Sequence, residues 1–299
     1  MIKKIIRQLF YVVKYLWEAN LFHYHRFPLL HAFEGKKAYI LVNGPSLKKA
    51  LEEYDEGLHP FDEHSFMVNL SPLDPRFFQI KPKHFLLSDP IFYQDFEQKK
   101  EQVRRMYDLL EEKVDWDMYL YIDFFHEWEN DKLITYSRIT NPKIHFVKLN
   151  RWHCSELYAP IRHWLYKRGW FMPEDGTIAN VAIYVALIEG YKEIELYGAD
   201  HSMFLELAVN DQNELCSLDS HFYEDSKPKM HPLKNCLTTE DKVFRVHEFL
   251  YIVYVMFNSH HLLRQFADYL GAKVLNCTPG SMIDSYERKH YRYARRKDN

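Results

Sequence analysis

Seven short apolar runs, separated by helical or polar stretches, constrain this chain more than any other feature. They fall at residues 37–42, 65–69, 84–88, 118–124, 144–149, 193–197 and 273–276. Each is short and rich in Val, Ile, Leu, Tyr or Phe, which reads as a strand. Helical patterns over 48–54, 94–113, 177–189 and 241–269 lie between them. Strands alternating with helices predict an α/β fold, a Rossmann-like, mainly parallel sheet flanked by helices. Ligands of such sheets bind beyond the carboxyl ends of the strands. Four predicted ends carry small or polar residues: Asn43-Gly44, Asn69, Ser88-Asp89 and Gly198-Ala199-Asp200. That topology converges them on one crevice. The polar stretch 205–235 reads as irregular and falls where a lid over the crevice belongs.

The 299 residues suffice for one large domain or two small ones. At 47% hydrophobic and 27% charged residues, the chain is neither disordered nor collagen-like. None of the four cysteines forms a C-x-x-C pair. This argues against a zinc ribbon or thioredoxin-type motif and fits a reducing cytoplasm. No apolar stretch reaches the roughly 18 residues of a membrane-spanning helix. The apolar stretch 5–17 is broken by Arg7, Gln8 and Lys14 and has no small-residue cleavage site, so it does not read as a signal peptide.

Charge is segregated. Residues 1–27 carry Lys3, Lys4, Arg7, Lys14 and Arg26 against Glu18, a net +4. Residues 287–299 carry six Lys and Arg against Glu287 and Asp298, again +4. The whole chain is −3, so by subtraction of these two ends the middle holds −11. An acidic body with two basic ends argues against nucleic acid as a partner. It suggests that residues 1–27 and 288–299 meet an anionic membrane surface. Residues 2–22 read as a basic amphipathic helix, suited either to a membrane interface or to packing on its own domain.

The sharpest local motif is Asn43-Gly44-Pro45-Ser46-Leu47. Gly44 permits a tight turn and a close ligand approach. Ser46 is placed to cap the next helix, whose amino-terminal N–H groups attract phosphate. Neither G-x-G-x-x-G nor G-x-x-x-x-G-K occurs, which argues against a dinucleotide fingerprint and a P-loop. Asp115-Trp116-Asp117 precedes a strand, at the wrong end of the sheet for the crevice, and reads as a solvated turn. None of the 17 histidines forms H-E-x-x-H. His221 stands apart because Leu218-Asp-Ser-His-Phe-Tyr223 falls in the lid stretch, and a neutral imidazole suits general-base work. No G-x-S-x-G elbow marks a serine hydrolase.

Four blocks together resemble a known family: Asn43-Gly-Pro-Ser-Leu47, Gly176-Thr-Ile-Ala-Asn180 running on to Tyr197-Gly-Ala-Asp200, Asp219-Ser-His-Phe222, and Ala272-Lys-Val-Leu-Asn-Cys-Thr-Pro-Gly-Ser281. Their order and spacing resemble bacterial lipooligosaccharide sialyltransferases of glycosyltransferase family 42, and the related motility-accessory-factor domain. The resemblance spans about residues 37–285. It implies a GT-A variant at 31–285 with a lid near 203–236, between a helix at 1–30 and a tail at 286–299. It also implies inverting, metal-independent transfer of a nonulosonic acid from a CMP-sugar to a glycan or lipid-linked hydroxyl. Such an enzyme would lie on the cytoplasmic face of the membrane, and similar enzymes form dimers and tetramers.

By matching motifs, the resemblance implies that Asn43, Gly44, Pro45, Ser46 and Asn69 contact the nucleotide. Ser88 stands where the family has Asn, with Asp89 beside it. Gly176 and Thr177 start the helix that faces the donor, Asp200 lies by the cytidine or its ribose, and His221 is the base. The family's phosphate-binding tyrosines are missing from Asp200-His-Ser-Met-Phe204. Ser202 stands at the first of them, and His201 and Tyr223 are the candidates to substitute. A related resemblance, to archaeal-type 6-hydroxymethylpterin pyrophosphokinases, implies instead Mg-ATP held by Asp89, Asp175 and Asp200. A non-catalytic membrane scaffold is a third reading, which would need no convergent crevice.

Overall fold

A computed structural model describes residues 2–18, 26–88, 92, 100–123, 139–219, 229–234 and 242–289. Each of the seven predicted runs forms a strand: β1 (Lys37–Leu41), β2 (Ser65–Val68), β3 (His84–Leu86), β4 (Met118–Asp123), β5 (Ile144–Leu149), β6 (Glu193–Tyr197) and, later in the chain, β10 (Lys273–Asn276). A short β11 (Glu287–Arg288) makes eight, in the order β11-β10-β6-β1-β2-β3-β4-β5. Every pairing is parallel, as in Ile40 beside Phe66 on one side and Leu196 on the other. The chain lays β2 to β5 outward from β1, then crosses back to place β6 on its other flank. The strand order therefore reverses at β1. β11 draws the start of the expected basic tail into the sheet.

Alternation along β1 divides the core in two, because successive side chains of a strand point to opposite faces. Ala38 and Ile40 face α6 (Ile178–Ile188), with α1 (Ile2–Glu18), α5 (Ala159–Lys167) and α7 (Val246–Leu270) on the same side. Tyr39 and Leu41 face α2 (Leu47–Asp55), α3 (Arg76–Ile80) and α4 (Lys100–Lys113). Helix α6 is apolar around its whole circumference and buried from Ala179 to Ile188, as a helix must be when both the sheet and α7 cover it.

The sequence left 205–235 irregular, whereas its described part forms an antiparallel sheet of β7 (Leu207–Val209), β8 (Leu215–Asp219) and β9 (Lys229–Pro232). Strands of three to five residues carry too few alternations to register as a period. The predicted helix over 94–113 is described only from Lys100, and the predicted helix over 2–22 is described from Ile2 to Glu18.

A polar network lies in the core at the amino ends of the strands. The Tyr121 hydroxyl donates to Glu189 at 2.5 Å, and the His84 ring bonds the hydroxyls of Tyr121 at 2.7 Å and Tyr191 at 2.9 Å. Burial pushes the Glu189 carboxyl well up and His84 well down. Burial likewise lowers His260, and it brings His163 and His201 each down to about 4. A depressed histidine leaves the unfolded chain holding the extra proton once pH drops below its ordinary value, so stability is lost as pH falls. Burial lowers His64 as well, and Glu189, which acts in the opposite sense, is one group against these five. Urea unfolding should therefore show stability falling from about pH 6.5 toward pH 4, by about 1.4 kcal/mol per pH unit for each proton of imbalance. Equal stability at pH 7.5 and 5 would contradict the buried, neutral state of these rings.

Candidate functional site

The crevice forms where β1 and β6 end side by side. The Gly44 N–H donates to the carbonyls of Val42 and Gly198, both at 2.9 Å. A Cβ on Gly44 would lie 2.2 Å from both Asp200 Oδ2 and the Gly198 carbonyl. Gly198 has φ +69°, and a Cβ there would lie 1.9 Å from the Val42 carbonyl oxygen. The two glycines let the loops touch, and that contact delivers Asp200 to the start of α2.

Ser46 does not cap α2 as the sequence suggests. Its hydroxyl donates to Asp200 Oδ2 at 2.9 Å, and its N–H donates to the same oxygen at 3.2 Å. The Ser46 backbone is already helical, at φ −70° and ψ −15°, whereas a cap residue is extended so that its hydroxyl oxygen can accept from the first N–H groups; the charge-assisted bonds to Asp200 accompany this conformation. Both bonds fall on Oδ2, and the Asp200 side chain is half-buried at the edge of the crevice. The backbone of this loop is pinned from β10: the Thr278 hydroxyl accepts from the Ala199 N–H, the Ser281 hydroxyl donates to the Ala199 carbonyl, and the Met282 N–H donates to the Asp200 carbonyl. A cleft of about 210 Å³ opens beside Ser46 and Thr278, between α2 and the end of β10.

On the other flank, the Asn43 side-chain amide donates to the Val68 carbonyl at 3.0 Å and ties the ends of β1 and β2 together. Asn69 follows with φ +52°, a left-handed conformation that asparagine tolerates better than most residues. Its buried Oδ1 has no hydrogen-bond partner among the described residues. Pro45 is exposed, and Ser88 is half-buried at the end of β3. Ser88 shares no hydrogen bond with the other crevice residues described.

Gly176 lies against Met256 of α7, and Thr177 precedes α6 in an extended conformation, its hydroxyl not bonded to the helix. His201 also faces α7. It is 7% exposed, with φ +53° and its Nε2 3.1 Å from Nε2 of His260, whose Nδ1 lies 3.0 Å from the Tyr286 hydroxyl. Burial, opposed by Asp200, brings His201 down to about 4, so near neutral pH the two imidazoles share one N–H between them. His201 is thus tied into a relay behind the crevice, and Ser202 beside it is half-buried. Asp89, His221 and Tyr223 lie outside the described residues. The segment with His221 leaves from Asp219 and returns at Lys229, which pair in β8 and β9.

Two groupings escaped the sequence. The His201–His260–Tyr286 relay joins residues 59 and 26 positions apart, and no local pattern announces it. Asp175, just before Gly176, has a side chain only 3% exposed, with Arg151 Nη2 at 2.5 Å and His153 Nε2 at 2.6 Å. Burial works to raise the Asp175 carboxyl, but Arg151 and His153 hold it below the usual range. Asp115 and Asp117 lie ahead of β4, at the opposite end from the crevice, paired with Lys81 and with Lys143 and His145. Among the described residues no three His, Cys, Asp or Glu side chains are grouped to hold a metal ion.

What fold and crevice define together is a Rossmann-like α/β protein with a polar crevice at the point where its strand order reverses. No family model, curated protein or solved structure matches the chain.

Proposed function

We propose that this chain is an inverting glycosyltransferase of GT-A type, transferring a nonulosonic acid from a CMP-sugar to a glycan hydroxyl in surface polysaccharide or lipooligosaccharide synthesis. The observation that carries the reading is the crevice at β1 and β6. Asp200 reaches the start of α2 through Ser46 and is the carboxylate for a ribose hydroxyl; Asn43 joins the ends of β1 and β2, and Asn69 and Thr177 stand where β2 ends and α6 begins. CMP leaves with a negative phosphate, so the reaction asks for hydrogen-bond donors at that phosphate and one base at the acceptor. His221 takes the proton of the acceptor hydroxyl. The freed oxygen attacks the anomeric carbon from the face opposite CMP, and the bond to the phosphate oxygen breaks with its electron pair going to CMP. Attack from the opposite face inverts the configuration.

The pyrophosphokinase reading draws less support. Asp175 is engaged with Arg151 and His153, and Asp200 with Ser46. The test is a melting panel of CMP, CDP, UDP, GDP and ATP, each with and without Mg²⁺. A ligand that binds the folded state raises the melting temperature, by about 2.7 kcal/mol of stability at a hundredfold excess over Kd. The proposal expects stabilisation by CMP in EDTA. Stabilisation only by ATP with Mg²⁺ overturns it in favour of the pyrophosphokinase.

A further inference from the structure

We infer that the outward face of α1 docks the protein on an anionic lipid surface, with the helix lying along the surface. The rotation of α1 on its own domain is fixed. The Tyr15 ring meets Phe171 edge-on at 6.1 Å, and Tyr11 and Val12 pack on the same core. The Gln8 amide donates to the Glu156 carbonyl at 3.2 Å and accepts from the Tyr158 N–H at 2.5 Å. At 100° per residue, anchoring those positions turns Ile5, Ile6, Leu9, Phe10, Val13 and Trp17 outward. Their exposures run from 53% at Ile5 to 80% at Trp17. Six large apolar side chains on one helix face exceed the scattered exposure of an ordinary surface and mark an interaction site.

The charge beside the stripe selects the occupant. Arg7 and Lys14 are exposed along one edge of it, and residues 2–18 carry Lys3, Lys4, Arg7 and Lys14 against the single acid Glu18. A second copy paired by two-fold symmetry would bring four more basic residues against one more acid, which leaves the positive excess unanswered. Anionic headgroups supply the complement, and a helix with an apolar face bordered by Lys and Arg lies in the headgroup boundary. The neighbouring helix adds to the same character: Tyr158 and Trp164 are exposed, and the Arg168 guanidinium stacks 3.7 Å from the Trp164 ring centre. Tyrosine and tryptophan favour that boundary because one part of each ring is apolar and the other polar. No helix among the described residues is long and apolar enough to cross a membrane.

This inference does not depend on which reaction the crevice performs. Its test is co-sedimentation of the full chain with vesicles of phosphatidylglycerol in phosphatidylcholine, and with phosphatidylcholine alone. Binding to the anionic vesicles, weakened by high salt, is the expected result. Phe10→Glu with Val13→Glu should lower that binding at least about tenfold, while the outward position of both side chains leaves the melting temperature unchanged. Arg7→Gln with Lys14→Gln, a milder change, should abolish the preference for anionic vesicles. No binding by the unaltered chain, or equal binding to both vesicle types, overturns the proposal. So does a lipid-free dimer in sedimentation equilibrium that the Glu variant converts to monomer, which would assign the face to a second copy.

Discussion

Gly198→Ala is expected to lower the melting temperature by about 10 °C, a loss of about 4 kcal/mol in a chain of this size. Two independent effects converge at this residue. Its φ of +69° lies in the left-handed region, where a side chain costs about 1 kcal/mol. The added methyl would also meet the Val42 carbonyl oxygen at 1.9 Å and the Leu47 Cβ at 2.8 Å. Neither neighbour can withdraw easily, since Val42 donates its N–H to the Tyr197 carbonyl and Leu47 is buried at the start of α2. Gly57→Ala serves as the control. It shares the left-handed backbone at φ +74° but has no atom within 4 Å, so only the backbone effect of about 1 kcal/mol remains. Thermal unfolding of the two variants beside the unaltered protein separates contact from strain. Equal losses in both would mean that the ends of β1 and β6 do not approach as described.

His221→Ala is expected to reduce sugar transfer by about a thousandfold, the typical scale of a positioned general base. CMP should still raise the melting temperature of the variant by the unaltered amount, because the proposal holds the nucleotide at the ends of β1, β2 and β6. The pairing of those two readings is what identifies a base. A residue that merely shapes the crevice would weaken CMP as well. Transfer that survives the substitution removes His221 from the mechanism and turns attention to other imidazoles, His153 beside Asp175 first among them.

The sheet was legible because each strand is a short run dominated by large apolar side chains between helical or polar stretches; 144–149, 193–197 and 273–276 match to the residue, although β5 at the sheet edge is only partly buried. The crevice was half legible. Strand ends such as Asn43-Gly44 and Gly198-Ala-Asp200 announce themselves by composition, and the alternation of elements sends them to one edge. Which ends touch depends on strand order, and nothing local in the sequence says that β6 lies against β1. The bond from Ser46 to Asp200 spans 154 positions, so no local pattern signals it, and the helical backbone of Ser46 takes the place of the expected cap. The Arg151–Asp175–His153 cluster and the His201–His260–Tyr286 relay are invisible in sequence on the same ground. The short strands β7 to β9 were missed because they are held by pairing with one another and bury little.

The most direct test of the central claim is turnover of the donor itself. The purified chain would be incubated in EDTA with CMP-N-acetylneuraminic acid, CMP-pseudaminic acid and CMP-Kdo in turn, with a galactose-terminated acceptor present, and released CMP would be measured. The account predicts CMP release from at least one donor, at a rate that His221→Ala abolishes. No release from any of the three, together with AMP formation from ATP and Mg²⁺ in the presence of 6-hydroxymethyl-dihydropterin, would contradict it.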